Sequence, residues 1–189
     1  LQCHRSGRAR AVVIDPRRTL TTGMADVWVR PKVPGTDAVV LGAMLGCLVR
    51  DGSARFEGSL PSAEEAEALS GARASDIEAA SEAFAESSAT FTCFGRGLTR
   101  GGSSGVRALY NLHTASGRFG NGSTVLPMLQ GANAAGALLI GTGVGRRPAG
   151  ASADDGGIRL GDWSTAFEDG RLNTLMVFGT NLLTQLPDQ

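Results

Sequence analysis

The sequence predicts an α/β protein with a mostly parallel sheet and flanking helices. Three observations lead there. First, short apolar runs stop at loop-forming residues. Ala11-Val12-Val13-Ile14 ends at Asp15-Pro16, Ala89 to Phe94 ends at Gly95-Arg96-Gly97, and Leu172 to Phe178 ends at Gly179-Thr180-Asn181. The first of these is unbroken, the mark of a strand covered on both faces, while the other two are interrupted by Thr or Asn. Second, helical patterns alternate with these runs, as βαβ units require. Third, helix-start signals sit between them: Ser62-Ala63-Glu64-Glu65 and Ser75-Asp76-Ile77-Glu78 both have the spacing of a capping box.

Each element follows in order. Proline stops the first strand, because it cannot donate to a ladder. Asp26 to Val29 reads as a second strand, stopped by Pro31. Thr36 or Asp37 can cap a helix that runs through Asp51 and closes at Gly52, with Ala38, Leu41, Leu45 and Leu48 at helical spacing. The first capping box opens a short helix to about Ser70. The second opens an alanine-rich helix to about Ser87, with Ile77, Ala80 and Phe84 as its buried stripe. After the strand ending at Phe94, Ser103 or Ser104 caps a helix to about Ser116, with Val106, Leu109, Tyr110 and His113 on one stripe. Thr124 to Leu129 is extended, 131–150 is glycine-punctuated, and a short helix spans about Ser164 to Asp169.

Composition narrows the function. The chain has 189 residues, 42% of them hydrophobic, and its formal net charge is zero. Bulk charge therefore excludes nucleic acid as a partner. The longest apolar stretch, Val39 to Val49, is too short to span a bilayer, so direct membrane insertion is excluded. Cys3, Cys47 and Cys93 are far apart, no CxxC occurs, and there are two histidines. That excludes a closed zinc or iron–sulfur site and argues for a reducing, cytoplasmic compartment. Cys47 in an apolar helix and Cys93 in a strand both read as core residues. Seventeen of the 18 bases are arginine; the base composition of the gene and guanidinium recognition of anions both account for that. Charge also alternates along the chain. Residues 91–150 hold six arginines, fourteen of the 27 glycines and no carboxylate. Such a segment suits anion binding, since glycine lets backbone N–H groups come close to a phosphate. It also suits a plain loop-rich segment.

The ordered motifs carry a resemblance. Val13-Ile14-Asp15-Pro16-Arg17-Arg18-Thr19, Ala25-Asp26-Val27-Trp28 and Pro34-Gly35-Thr36-Asp37 resemble a stretch of the molybdopterin oxidoreductases. That superfamily includes formate dehydrogenase catalytic subunits and the large iron–sulfur subunit of NADH:quinone oxidoreductase. Phe94-Gly95-Arg96-Gly97-Leu98-Thr99, Thr114-Ala115-Ser116-Gly117-Arg118-Phe119-Gly120, Gln130-Gly131-Ala132-Asn133 and Val177-Phe178-Gly179-Thr180-Asn181 continue it in order. The match spans most of the chain except about 52–61 and 146–165.

The resemblance implies an internal fragment of a two-domain, Rossmann-like, molybdopterin-binding subunit. Residues 1–120 would belong to the guanine-dinucleotide-binding domain and 121–189 to the adjoining α/β domain. It implies a bis-molybdopterin guanine dinucleotide carrying molybdenum or tungsten, with iron–sulfur clusters outside this segment. Asp15, Arg17, Arg18, Gly35, Thr36 and Asp37 would line a guanosine end, the two arginines facing a pyrophosphate. Asp37 can accept from guanine N1 and N2, or cap the following helix. Gly95, Gly97 and Thr99 would frame the pterin phosphate. Gln130 and Asn133 match a segment near the second pterin, with Gln130 offset and Ala135 in place of a second glutamine. Gly179 and Asn181 match the other guanosine loop, with Leu182 in place of proline.

No catalytic base, nucleophile or metal set assembles from these residues, and the molybdenum ligand would lie upstream of residue 1. The expected activity is therefore that of a full-length, formate-dehydrogenase-like oxidoreductase, with this piece inactive alone. The alternative is a segment of the NADH:quinone oxidoreductase subunit, an electron-transfer scaffold without molybdenum. Expected partners are the rest of the same large subunit and iron–sulfur electron-transfer subunits, in the cytoplasm or at a membrane through a complex. A piece of such a subunit would leave sheet edges uncovered.

Overall fold

The computed structural model describes residues 7, 9–100, 102–120, 122–128, 133–140, 151, 158 and 162–177. They fall into two compact units, Leu1–Met128 and Leu129–Gln189. The mixed α/β character expected from the sequence is present.

In the first unit, β1 (Val12–Ile14) and β2 (Val27–Val29) pair in parallel, with Val13 opposite Trp28. A 3-10 turn, Thr22–Met24, lies between them. Three helices follow: α1 (Asp37–Arg50), α2 (Ala63–Ser70) and α3 (Ala74–Glu86). Then come β3 (Phe91–Phe94), the single turn α4 (Arg96–Thr99), α5 (Ser104–Ala115) and β4 (Thr124–Pro127). β3 and β4 pair in parallel, Thr92 opposite Val125. Among the described residues these are two separate two-stranded sheets.

Helix α1 is the centre of the core. Val40, Leu41, Ala43, Met44, Leu45, Cys47 and Leu48 are all buried, so the helix is covered on more than one face. It packs on α5 and also on α2 and α3. Each large side chain taken from water there contributes about 1.5–3 kcal/mol of gross stabilisation. The capping box at Ser62 forms as the sequence predicts: Ser62 Oγ accepts from Glu65 N–H, and Glu65 Oε2 accepts from Ser62 N–H. Gly71 closes α2 with φ +71°, a left-handed cap that lets the chain turn against Lys32.

Four expectations are corrected by the structure. The Ser75 capping box does not form. Helix α3 starts at Ala74 with Arg73 as its N-cap residue, and Glu67 Oε2 of α2 accepts from Ala74 N–H instead. A carboxylate from a neighbouring helix has taken the role given to Ser75. The buried stripe of α5 is Gly105, Leu109, Leu112 and His113, while Tyr110 stacks on Phe119 at the surface. Cys93 is exposed and only Cys47 is buried, because β3 turns Thr92 and Phe94 inward and Phe91 and Cys93 outward. Burial holds the Cys47 thiol above its ordinary pKa, only partly offset by Ser81 and Arg50. In the second unit, α6 (Ala134–Leu139) and α7 (Trp163–Glu168) form, but 172–177 pairs with no strand among the described residues. The rest of that expected strand, Phe178, lies outside them.

Candidate functional site

The loop after β1 is held by its neighbours. Asp15 Oδ1 accepts from Arg17 N–H at 2.7 Å, an Asx turn that stops the strand. Trp28 Nε1 donates to the Asp15 carbonyl at 2.8 Å, and Arg30 Nε donates to the Pro16 carbonyl at 3.1 Å while lying over the Trp28 ring. Thr19 and Thr22 close the next turn through reciprocal bonds. The loop before α1 turns at Gly35, φ +84°, and Thr36 Oγ1 donates to the Val33 carbonyl. Thr36 occupies the N-cap position without a side-chain cap bond, and Asp37 is the first helical residue.

The loop after β3 is set by α5. Leu98 lies so close to Gly105 that a Cβ there would come within 2.4 Å of the Leu98 carbonyl oxygen. The buried His113 ring anchors the strand itself, with Nε2 3.1 Å from Thr92 Oγ1 and the Phe84 ring edge-on at 5.3 Å. Burial lowers the His113 pKa, with a smaller lowering from the Arg118 charge and a partial offset from an Arg118 backbone bond. Arg118 also caps α3, its guanidinium donating to the carbonyls of Phe84, Ala85 and Ser87.

These loops meet on one cavity of about 1270 Å³ within the first unit. Asp15, Pro16 and Arg17 come from the β1 exit, Pro34, Gly35 and Asp37 from the α1 entry, and Gly95 to Arg100 from the β3 exit. A Cβ built on Gly35, Gly95 or Gly97 meets nothing within 4 Å, so the backbone there borders open space. The lining carries three arginines (Arg17, Arg96, Arg100) and two carboxylates (Asp15, Asp37). Arginine forks bind phosphate oxygens in pairs, and a carboxylate accepts two parallel N–H bonds. The rim therefore has donors for an anion and acceptors for a base edge.

Of the residues singled out in the sequence, Asp15, Arg17, Gly35, Asp37, Gly95, Gly97 and Thr99 line this cavity. Arg18 and Thr36 do not. Arg18 is exposed, and Thr36 spends its hydroxyl on Val33. Asn133 belongs to the second unit, with φ 56° at the start of α6 and its carboxamide packed over Gly136. Gln130, Gly179 and Asn181 lie outside the described residues. Arg96 and Arg100 were not singled out. Their signal was the arginine-rich, carboxylate-free stretch they share. Among the described residues, no three His, Cys, Asp or Glu side chains cluster as a metal site, and no helix is long and apolar enough to cross a membrane.

No protein-family profile matches the chain, and no curated protein matches it. A solved structure does: acetylene hydratase from Pelobacter acetylenicus, with a TM-score of 0.56 and 24% sequence identity, covering 62% of this chain. The match spans 18% of the hydratase's own length. The likeness is one of fold: this chain shares the α/β arrangement of part of that protein.

Proposed function

We propose that the cavity holds the guanosine diphosphate end of a molybdopterin guanine dinucleotide. In this reading the chain is part of a formate-dehydrogenase-like, molybdopterin-dependent oxidoreductase with two Rossmann-like domains. The observation that carries it is convergence. Asp15 and Arg17, Gly35 and Asp37, and Gly95 to Arg100 are spread over some 85 positions of sequence, yet they line one cavity, at the exits of β1 and β3 and the entry of α1. Ligands of parallel α/β sheets bind at the carboxyl ends of strands. The fold shared with part of the acetylene hydratase is the α/β arrangement that this reading requires.

The residues present fit such a group. Asp37, at the first turn of α1, offers two acceptors to guanine N1–H and N2–H. Arg17, Arg96 and Arg100 offset pyrophosphate charge. Gly95 and Gly97 leave the β3 exit open to close approach. When bound, the metal of the cofactor supplies the two-electron redox chemistry. The part of this chain is to bind and orient one nucleotide end. Gln130, Asn133, Gly179 and Asn181 belong to the same proposal through their motifs, as do bis-cofactor stoichiometry, iron–sulfur partners and a cytoplasmic setting. Ala135 and Leu182, which depart from the motifs, favour the second reading, a molybdenum-free segment of NADH:quinone oxidoreductase.

Titration calorimetry with GDP and ADP tests the site. GDP is expected to bind about tenfold or more tighter than ADP, because the carboxylate's paired bonds serve only guanine. Asp37→Asn is expected to erase the preference, and Arg96→Ala to weaken both nucleotides. Equal affinities, or no binding of either, would contradict the site.

A further inference from the structure

Asp15 and Arg17 reach the cavity from a loop whose own bonds cannot place it. Pro16 has no N–H to donate. The Arg17 side chain is 82% exposed, and its ion pair, Nε 3.8 Å from Asp15 Oδ1, lies within the loop. The Asx turn from Arg17 N–H to Asp15 Oδ1 is internal as well. Bonds of this kind shape a loop but do not fix it against the rest of the protein. That falls to the bonds that leave it.

Three of those run to β2 and its last neighbour. Asp15 N–H donates to the Val29 carbonyl at 3.2 Å. The Asp15 carbonyl accepts from Trp28 Nε1, and the Pro16 carbonyl from Arg30 Nε. Val27 and Val29 turn into the core, so strand alternation leaves Trp28 on the other face. The Arg30 guanidinium lies 5.4 Å from the Trp28 ring centroid. Neither Trp28 nor Arg30 lines the cavity, whereas Asp15, Pro16 and Arg17 all do. Holding two consecutive carbonyls fixes two consecutive peptide planes. Those planes set the directions in which Asp15 and Arg17 leave the backbone.

We infer that Trp28 and Arg30 are positioning residues for the cavity, acting through the loop that carries Asp15 and Arg17. Trp28 supplies a rigid donor to one carbonyl. Arg30 supplies a planar donor to the next and is steadied by the Trp28 ring, a combination that a lysine ammonium cannot copy. The ligand that feels the effect rests on the nucleotide proposal. The hold on the loop does not.

Two readings on the full chain test this: hydrogen exchange of the Arg17 amide by NMR, and titration calorimetry with GDP and ADP. Trp28→Phe keeps a ring and removes its donor. Arg30→Lys keeps the charge and removes the planar donor. Each is expected to speed Arg17 exchange by about three- to tenfold, the worth of one hydrogen bond, and to weaken both nucleotides by a similar factor. The ratio of the two affinities is expected to hold, because Asp37 stands on α1 and not on this loop. Ser62→Ala, at the cap of α2 and off the cavity lining, is the control for lost stability and should change neither reading. Wild-type Arg17 exchange in both variants would overturn the inference. So would faster exchange with unchanged affinities, or equal acceleration in Ser62→Ala. Arg30→Lys that lowers affinity without loosening Arg17 would also overturn it. If the wild type binds neither nucleotide, the nucleotide reading fails, and exchange alone decides whether the pair holds the loop.

Discussion

At the residue scale, two buried residues hold the cavity's third loop. Gly105 lets α5 pass against the Leu98 carbonyl, a contact that no side chain can share. Gly105→Ala is expected to cost about 1–3 kcal/mol in urea unfolding, since backbone and not a flexible side chain must move. His113 gives a pH dependence. Burial lowers its pKa from 6.5, so the unfolded chain binds a proton that the native protein does not. Its contribution is complete above about pH 6.5 and declines as pH falls through 6.5 toward the lowered native value. Unfolding of the wild type should therefore weaken across that window, and His113→Gln should remove that component of the slope. An unchanged slope would mean that His113 is not held neutral. The position of His113 on the inner face of α5 was legible from helical spacing. Its partner Thr92 was not, because a bond between positions 21 apart leaves no local pattern.

At the element scale, helix starts show where local signals hold. Both serine boxes have the same spacing, yet only the Ser62 box is built. The second lost to Glu67, which approaches from α2 after the turn at Gly71. Ser62→Ala is expected to lower stability by about 1 kcal/mol, and Ser75→Ala by only a few tenths, compared by denaturant midpoint. Equal losses would show that Ser75 caps after all. The strands were readable from their apolar runs and stop residues. The outward turn of Cys93 was not, because an apolar run carries no sign of which face is covered. The one-turn helix α4 is not legible in the sequence, since Gly95-Arg96-Gly97 lacks any apolar period.

At the scale of the whole molecule, the site is a product of chain crossing. Asp15 and Arg100 stand far apart in the chain yet line one cavity, whose wall also takes Leu41 and Met44 of α1 and Leu109 and Leu112 of α5. Sequence order could suggest each loop singly, and motif resemblance could group them, but neither could show that Arg18 is left out and Arg100 taken in.

The central claim is that this chain builds one end of a guanine-dinucleotide site in a molybdopterin-type protein. Its most direct test is the metal and nucleotide content of the protein purified from the cells that make it, with molybdenum and tungsten read by mass spectrometry and GMP released by acid hydrolysis. The account predicts one of the two metals with about two GMP for each, the composition of a bis-guanine-dinucleotide cofactor. Iron with neither metal and no GMP would contradict it, and would leave the electron-transfer scaffold as the reading of this fold.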